Sequence, residues 1–463
     1  MFGKVLVANR GEIACRILRT CRRLGIATVA VYSDADRNAP HVALADEAVR
    51  LGEAPVRQSY LDVEALVAAI RTTGAEAVHP GYGLLSESAG FARAVAGAGA
   101  VFIGPAPEVL ERLGDKVAAR TLARSVGVEP PPGTAEAVAV GDAEALTRAA
   151  ERLGYPVMVK AAAGGGGIGM AVVRDPVELA RAAQTASDRA RQAFADERVY
   201  LERWIERPRH VEVQVLADHH EGFVALGERE CSVQRRHQKI IEETPCPAGF
   251  FSGEPCDGRR VALWNAALAL MRAAGYAGAG TVEFLVDAGG NAFFLEVNAR
   301  LQVEHPVTEL VTGLDLVEAQ LRIAAGEPLA PEMRAPAFSG AAIEARLYAE
   351  DPARGFVPQP GRIERLALPE DMPGVRVDSG VVAGYEVTPH YDPLLAKVAA
   401  HGSTREEARA RLLAALAVTD IALQGPKGPR RTNRELLCRI LEHAEFVAGE
   451  YDTELVSRLG PLP

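Results

Sequence analysis

The sequence predicts a multi-domain chain of mixed α/β and α+β class that opens on a doubly wound α/β domain. Three observations carry this. At the N-terminus, short apolar runs that read as buried strands alternate with helical periodicity. In the middle of the chain, a glycine-rich loop and a Gly-Gly turn each interrupt strand-like segments. The length of 463 residues exceeds the roughly 100–200 residues of an ordinary single domain. Hydrophobic residues make up 48% and charged residues 24% of the chain, enough apolar material for substantial cores.

Residues 4–8 (KVLVA) and 27–32 (ATVAVY) read as strands, with helical periodicity over Gly11–Leu24 between them. A strand within 75–83, a helix near Ala89–Ala98 and a strand at 100–104 complete a doubly wound unit over about 1–113. The first strand is followed by NRGEIA and not by G-x-G-x-x-G, which argues against a dinucleotide. VEPPPGT (128–134) is a proline-rich break, and APAFSG (335–340) is a second joint. Between them lie a small α+β subdomain of about 75 residues, below the usual domain size, and a longer stretch of alternating strands and helices. A mixed region with a helix at 404–416 follows, and residues 448–463 read as a short tail.

The net charge of −10 and pI near 5.6 argue against nucleic acid or an anionic membrane as the main partner, since both require a basic footprint. They leave open a small anionic substrate held by a local cluster of cations. No apolar run approaches the roughly 18 residues of a membrane span. The opening MFGKVLVANRGE is apolar only over Val5–Ala8 before turning charged, unlike a secretory signal. Six cysteines (15, 21, 231, 246, 256 and 438) form no C-x-x-C pair, so a reduced, cytoplasmic setting is expected. Of 51 Lys and Arg residues only six are lysines: 4, 116, 160, 239, 397 and 427. In so arginine-biased a chain, surviving lysines are enriched where a compact point charge is needed.

Lys160 ends the apolar run VMVK and is followed by Ala161–Ala163, Gly164–Gly167, Ile168 and Gly169. Consecutive backbone N–H groups in such a loop can cradle phosphate oxygens. Because MAVV resumes a strand, the loop is a hairpin tip and not a Walker loop. A hairpin without a ligand is the alternative; the preceding lysine favours phosphate.

TVEFLVDAGGNAFFLEVNARLQVEHP (281–306) is the most informative segment. Gly289–Gly290 marks a hairpin turn that places Glu283 directly opposite Glu296. Opposed side chains lie about 4.5–5.5 Å apart at Cβ, so two carboxylates there repel unless a cation joins them or one is protonated. Mg²⁺, which favours carboxylates together with substrate phosphates, fits. Glu296, Asn298, Arg300, Gln302 and Glu304 share one parity, and an extended segment puts them on one face. The expected order is a metal site, then an anion-binding arginine, then a carboxylate base; the wet face of an edge strand is the alternative. ERECSVQRRHQKIIEE (228–243) offers Arg235, Arg236, His237 and Lys239 as oxyanion donors or, alternatively, forms a basic connector; its Cys231 reads as a buried, inert thiol. YLERWIERPRH (200–210) reads equally as an adenine-stacking hinge or as packing around Trp204.

The whole constellation resembles the biotin carboxylase component of biotin-dependent carboxylases (acting on acetyl-CoA, other acyl-CoAs or pyruvate), within the ATP-grasp superfamily. VLVANRGEIACRI, HPGYGLLSES, FIGP…LGDK, GGGGIGM, ERECSVQRRHQKIIEE, FLEVNARLQVEHPVTE, EARLYAEDP and YDPLLAK match its pattern in order over nearly the whole chain. The resemblance implies an ATP-grasp fold. A doubly wound pre-ATP-grasp domain spans 1–113, and an ATP-grasp domain spans 114–335 with a mobile lid subdomain at about 131–203. A C-terminal α+β domain follows at 336–447. The resemblance further implies that Lys116 and Lys160 contact ATP phosphates, with Gly166 and Gly167 in the lid and Glu202, Arg203, Trp204 and Ile205 at the adenine hinge. By the same resemblance His210, Gln234 and His237 belong to the nucleotide pocket, and Glu283, Glu296 and Asn298 bind Mg²⁺ or Mn²⁺. Lys239, Arg300, Gln302 and Val303 resemble the bicarbonate site, Glu304 the general base, Arg346 the stabiliser of the biotin enolate, and Tyr82 a lining residue of the biotin site. Ile168 stands where the family usually has Arg or Lys, which removes a cation near the phosphates, and Arg203 replaces a common Lys.

The implied chemistry is ATP- and bicarbonate-dependent carboxylation of carrier-bound biotin through carboxyphosphate, the first half-reaction of enzymes such as the acetyl-CoA carboxylase of fatty acid biosynthesis. Another ATP-grasp ligase acting on a different carboxylate is the runner-up, and a non-catalytic assembly subunit is a third reading. The chain has no Met-Lys or Lys-Met dipeptide of a biotin acceptor and no room for a carboxyltransferase. A biotin carboxyl carrier protein and the transferase are therefore expected on separate chains or in other parts of a longer one, and the family implies a homodimer.

Overall fold

A computed structural model of the chain describes all residues except 135, 163–169, 195, 252–257 and 461–463. The N-terminal region is the expected doubly wound unit. Strands β1 (Lys4–Val7), β2 (Ala27–Ser33), β3 (Glu47–Gly52), β4 (Ala77–His79) and β5 (Val101–Phe102) form an all-parallel sheet in the order β3-β2-β1-β4-β5. Helix Gly11–Arg23 buries Ile13, Ala14, Ile17, Leu18 and Cys21, an i, i+4 stripe packed on Val5 and Val7. Strand order reverses on either side of β1, and the carboxyl ends of β1 and β4 therefore open a crevice. Asn9 closes its base by donating to the carbonyls of Pro80 (2.6 Å) and Tyr82 (2.8 Å). Gly81, at φ +63°, is required there, because a Cβ would come within 2.9 Å of Asn9 Nδ2.

The small subdomain is an antiparallel sheet of β6 (Val157–Ala161), β7 (Met170–Val173) and β8 (Val199–Arg203), ordered β7-β6-β8. Helices Ala143–Leu153 and Leu179–Phe194 cover it, burying Leu146, Ala150, Leu179 and Ala183 on Val157, Val159 and Leu201. Lys160 pairs with Met170, as a hairpin requires. Gly166, Gly167 and Ile168 lie outside the described residues.

The centre of the molecule is an eight-stranded antiparallel sheet. It contains β9 (Arg209–Ala217), β10 (Phe223–Arg235), β11 (Gln238–Thr244), β12 (Gly278–Val286), β13 (Ala292–Asn298) and β14 (Ala341–Tyr348), with strands Val375–Ser379 and Leu394–Gly402. The order is β13-β12-β9-β10-β11-β14, then Leu394–Gly402, then Val375–Ser379. The joint at 335–340 divides the sequence but not the sheet, since β14 enters directly beside β11. Val211, Val213 and Val215 of β9 face helix Gly258–Ala274, where Leu263, Leu270 and Met271 complete the core. The alternate residues of β9, Glu212 and Gln214, are also buried, on the opposite face.

Two expectations need correction. The polar alternation from Glu296 to Glu304 is not one extended strand: β13 ends at Asn298, whose partner is Thr281, and nothing pairs beyond it. Helix His305–Thr312 then starts with Pro306 in its first turn, a position where proline's missing N–H costs nothing. Residues 448–463 are not a loose tail over their described part. Tyr451, Leu455 and Leu459 are buried with Leu436, Leu437, Ile440 and Phe446, and the rings of Phe446 and Tyr451 stack at 5.2 Å. Among the described residues no helix is long and apolar enough to cross a membrane.

If the C-terminal segment is part of the core, Leu455→Ala lowers the unfolding free energy by about 2–5 kcal/mol. Urea denaturation checks this, and an unchanged midpoint would contradict the packing.

Candidate active site

The polar face of the central sheet carries a row of charges. Register places Glu296 opposite Glu283, Glu283 opposite Glu212, and Glu212 opposite Arg229, across β13, β12, β9 and β10. Three carboxylates at successive cross-strand positions repel one another, and they persist because cations interleave. Arg229, fully buried, reaches Glu212 at 2.5 Å. Lys239 contacts Glu212 at 2.5 Å, Glu283 at 2.8 Å and Glu304 at 2.7 Å. The β10–β11 hairpin sets its place. Arg236 and His237 form the two-residue turn at φ +49° and +63°, the positive values that suit a tight hairpin, and Lys239 follows opposite Gln234.

Glu283 is held by more than Lys239. His210 Nε2 lies 2.8 Å from it, and Gln234 Nε2 donates to His210 Nδ1 at 2.7 Å, so the ring keeps its proton on the side of the carboxylate. Asn298 and Gln302 amides also donate to Glu283, at 2.8 and 2.9 Å. Burial pushes the Glu283 carboxyl up, but Lys239 and His210 outweigh it and hold it well below the usual range. Glu304 behaves alike: burial raises it, and the charges of Lys239, Arg346 and Arg229 bring it lower. One Glu304 oxygen faces Lys239 and the other accepts from Arg346 at 2.9 Å.

Arg346 also pairs with Glu242. Behind it Glu242 and Glu344 face each other in the β11–β14 register. Burial pushes Glu242 up to about 7 and Glu344 well upward, as two opposed carboxyls in a dry site require. Arg346 is thereby shared between Glu242 and Glu304. Arg300 is anchored by Glu87 (3.2 Å), the Gln302 amide oxygen (2.8 Å) and the Asn298 amide oxygen (2.8 Å). Cys231 is buried, and burial pushes its thiol well up, in keeping with an inert group.

A second cluster faces this one. Lys116 opens helix Lys116–Ser125 and lies 3.6 Å from Glu296. Lys160 and Arg120 both pair with the buried carboxylate of Glu202. Burial, with Lys116 and Arg120 nearby, pushes the Lys160 ammonium down to about 7, and the charge of Glu296 opposes them. Two lysines and an arginine around so few carboxylates leave room for phosphate charge.

All the site residues anticipated from the sequence that are described line one cavity of about 1260 Å³, including Tyr82, Trp204, Ile205, Val303 and Arg203. Sequence reasoning missed Glu212, Arg229, Glu242 and Glu87. The alternation VEVQV over 211–215 was the available signal for Glu212, since a half-buried strand seldom hides a carboxylate without a partner. Arg229 and Glu242 lie within the charge-dense segment 228–243, but nothing local singles them out there, because their partners come from distant strands.

The donor set suits a hard divalent cation. Glu283, Glu296 and the Asn298 amide supply oxygen ligands of the kind Mg²⁺ or Mn²⁺ takes. His210, Glu212 and Glu283 also converge within 4.8 Å of one another, with Glu212 and Glu283 both paired to Lys239.

A crevice at the strand ends of a doubly wound domain, a two-helix hairpin subdomain with its buried lysine, and a carboxylate-rich antiparallel sheet define an ATP-grasp ligase. Residues 1–110 match the biotin carboxylase N-terminal domain, 115–332 the carbamoyl-phosphate synthase L chain ATP-binding domain, and 344–458 the biotin carboxylase C-terminal domain. The chain is 50% identical over 457 residues to a biotin carboxylase of Halalkalibacterium halodurans, covering 99% of this chain and 98% of that protein. It is 44% identical over 480 residues to the propionyl-CoA carboxylase alpha chain of Ruegeria pomeroyi, covering 100% of this chain and 68% of the relative. It superposes with a TM-score of 0.93 and 42% identity on the biotin carboxylase domain dimer of Hydrogenobacter thermophilus 2-oxoglutarate carboxylase, a complex with MgADP, ADP and bicarbonate, covering 99% and 98% of the two chains. The chain belongs to the biotin carboxylase family.

Lys239 compensates three buried carboxylates, so Lys239→Met is expected to cost about 3–5 kcal/mol near neutral pH, as for a broken buried ion pair. Glu283 and Glu304 have folded values below the ordinary one. The stability they contribute is therefore present above about pH 4.3 and is lost as the pH falls through the folded values. Without Lys239 those folded values rise, so unfolding free energy depends less steeply on pH between about 5 and 3. Urea titrations across that range test this; equal slopes in the two proteins would refute it.

Proposed function

We propose that the chain carboxylates biotin on a carrier protein, using ATP and bicarbonate. The observation that carries this reading is Glu304. It is shared between Lys239 and Arg346, in the same cavity as Arg300, the Glu283–Glu296 pair and the Lys116–Lys160 cluster. Lys116 and Lys160 bind and orient the ATP phosphates, and residues 202–205 contact the adenine. Glu283, Glu296 and Asn298 hold Mg²⁺ or Mn²⁺, which neutralises phosphate charge when bound. Lys239, Arg300, Gln302 and the Val303 backbone hold bicarbonate.

In the resting arrangement both oxygens of Glu304 are committed to cations, which keeps it a weak base. Bicarbonate drawn onto Lys239 and Arg300 shares the Lys239 charge and adds a negative charge beside Glu304, raising its proton affinity. Glu304 then takes the bicarbonate proton as the oxygen attacks the γ-phosphate, giving carboxyphosphate and ADP. Carboxyphosphate breaks down to CO₂ and phosphate, phosphate takes the biotin N1′ proton, and Arg346 stabilises the enolate that captures CO₂. Positioning and charge neutralisation supply most of the rate in such transfers. Tyr82, at the mouth of the N-terminal crevice, lines the biotin side. The intact Lys239 and Glu283–Glu296 arrangement speaks against a non-catalytic subunit. A carrier protein and a carboxyltransferase outside this sequence complete the reaction, with the chain acting as a homodimer in a reduced, cytoplasmic setting that suits its five described free thiols.

Glu304→Gln keeps the shape and removes the base. Bicarbonate-dependent ATP cleavage is expected to fall by about 10²–10⁴-fold, while nucleotide binding measured by calorimetry stays within a small factor. Full activity would sink the assignment, as would ATP cleavage in the wild type that is indifferent to bicarbonate and free biotin.

A further inference from the structure

Residues 299–304 carry Arg300, Gln302 and Glu304, yet they belong to no strand or helix. A buried backbone without a ladder must find its hydrogen bonds elsewhere. Its start is held by Glu87, whose carboxylate accepts from the Ala299 N–H at 3.0 Å and contacts Arg300. The carbonyl of Gln302 accepts from the N–H of His305 at 3.4 Å. The carbonyl of Val303, the residue before the base, accepts from Lys397 Nζ at 2.7 Å. Lys397 is almost wholly buried, at 1% exposure, on strand Leu394–Gly402 directly opposite Arg346. Two cations opposed across adjacent strands repel. Lys397 is turned away from Arg346 by Glu12, 3.2 Å from its ammonium, and Glu12 in turn accepts from the Tyr82 hydroxyl.

Resting on the reading of residues 300–304 as the bicarbonate segment, we infer that Lys397 is a positioning residue. Its ammonium fixes the Val303 carbonyl, and so the aim of Glu304 and Arg300, while tying that segment through Glu12 and Tyr82 to the biotin side of the cavity. It touches no reacting atom. Arginine would not fill the role equally well, because one compact donor has to meet a carbonyl and a carboxylate within a buried space. This also accounts for a lysine in a chain that otherwise favours arginine.

The test is steady-state ATP cleavage with bicarbonate and free biotin, varying bicarbonate and ATP separately, on full-length wild type, Lys397→Met and Glu12→Gln. Loss of one charge-assisted hydrogen bond is expected to raise the bicarbonate KM of Lys397→Met about tenfold, with the ATP KM within about twofold of wild type. A lysine that only supported folding would lower the active fraction and leave both KM values alone. An unchanged bicarbonate KM, or an equal rise in both, overturns the inference. If Lys397→Met does not fold, Glu12→Gln decides. It removes the charge that aims the ammonium but keeps a group able to meet Tyr82, and the same split of KM values supports the inference while its absence overturns it. A wild type whose ATP cleavage ignores bicarbonate refutes the proposed function at the control, before any variant is compared.

Discussion

Lys239 brings one ammonium into contact with three carboxylates from three separate parts of the chain, and most of the site is organised around that contact. Glu212 and Glu283 are neighbours on the central sheet and Glu304 sits on the irregular segment beyond β13. Without the shared cation, each of these buried carboxylates would lose part of what offsets its desolvation, with Arg229 left for Glu212, His210 for Glu283 and Arg346 for Glu304. With it, Glu283 and Glu304 are held below the usual carboxylate range, and the segment bearing Glu304 is drawn against the sheet. Arg229 and Arg346 extend the same alternation of sign to either side.

That network explains why the sheet crosses the joint in the sequence. Arg346 and Lys397 lie on strands contributed after residue 340, but they act on Glu304 and Val303 before it. The sheet continues from β11 into β14, so the C-terminal region is a wall of the site. The N-terminal domain supplies another wall through Glu12, Tyr82 and Glu87. Three regions converge on one short segment that has no secondary structure of its own, and its geometry is set by side chains from all three.

Much of this was legible locally. The doubly wound opening, the two hairpins and the opposition of Glu283 and Glu296 follow from turn residues and a period of two, and the register bears the opposition out. The arginine bias made lysines worth noticing. Lys116, Lys160 and Lys239 face the cavity and Lys397 stands just behind it, whereas Lys4 makes an outer pair with Glu47. The polar alternation of segment 299–304 is real, but its ladder partner is missing, so it forms no strand. The C-terminal segment was misread as a tail because its few apolar residues gain meaning only against the helix Arg434–Glu442.

The sequence by itself determined which residues could do chemistry and which short-range pairs would form, because turns and strand parity act over a few residues. Only the tertiary structure decided that Glu212 and Arg229 join the row, that Glu242 and Glu344 face each other behind Arg346, and that Lys397 holds the Val303 carbonyl. Each of those depends on which strands lie side by side and on how dry the space between them is, and neither burial nor long-range pairing leaves a mark within a single stretch of chain.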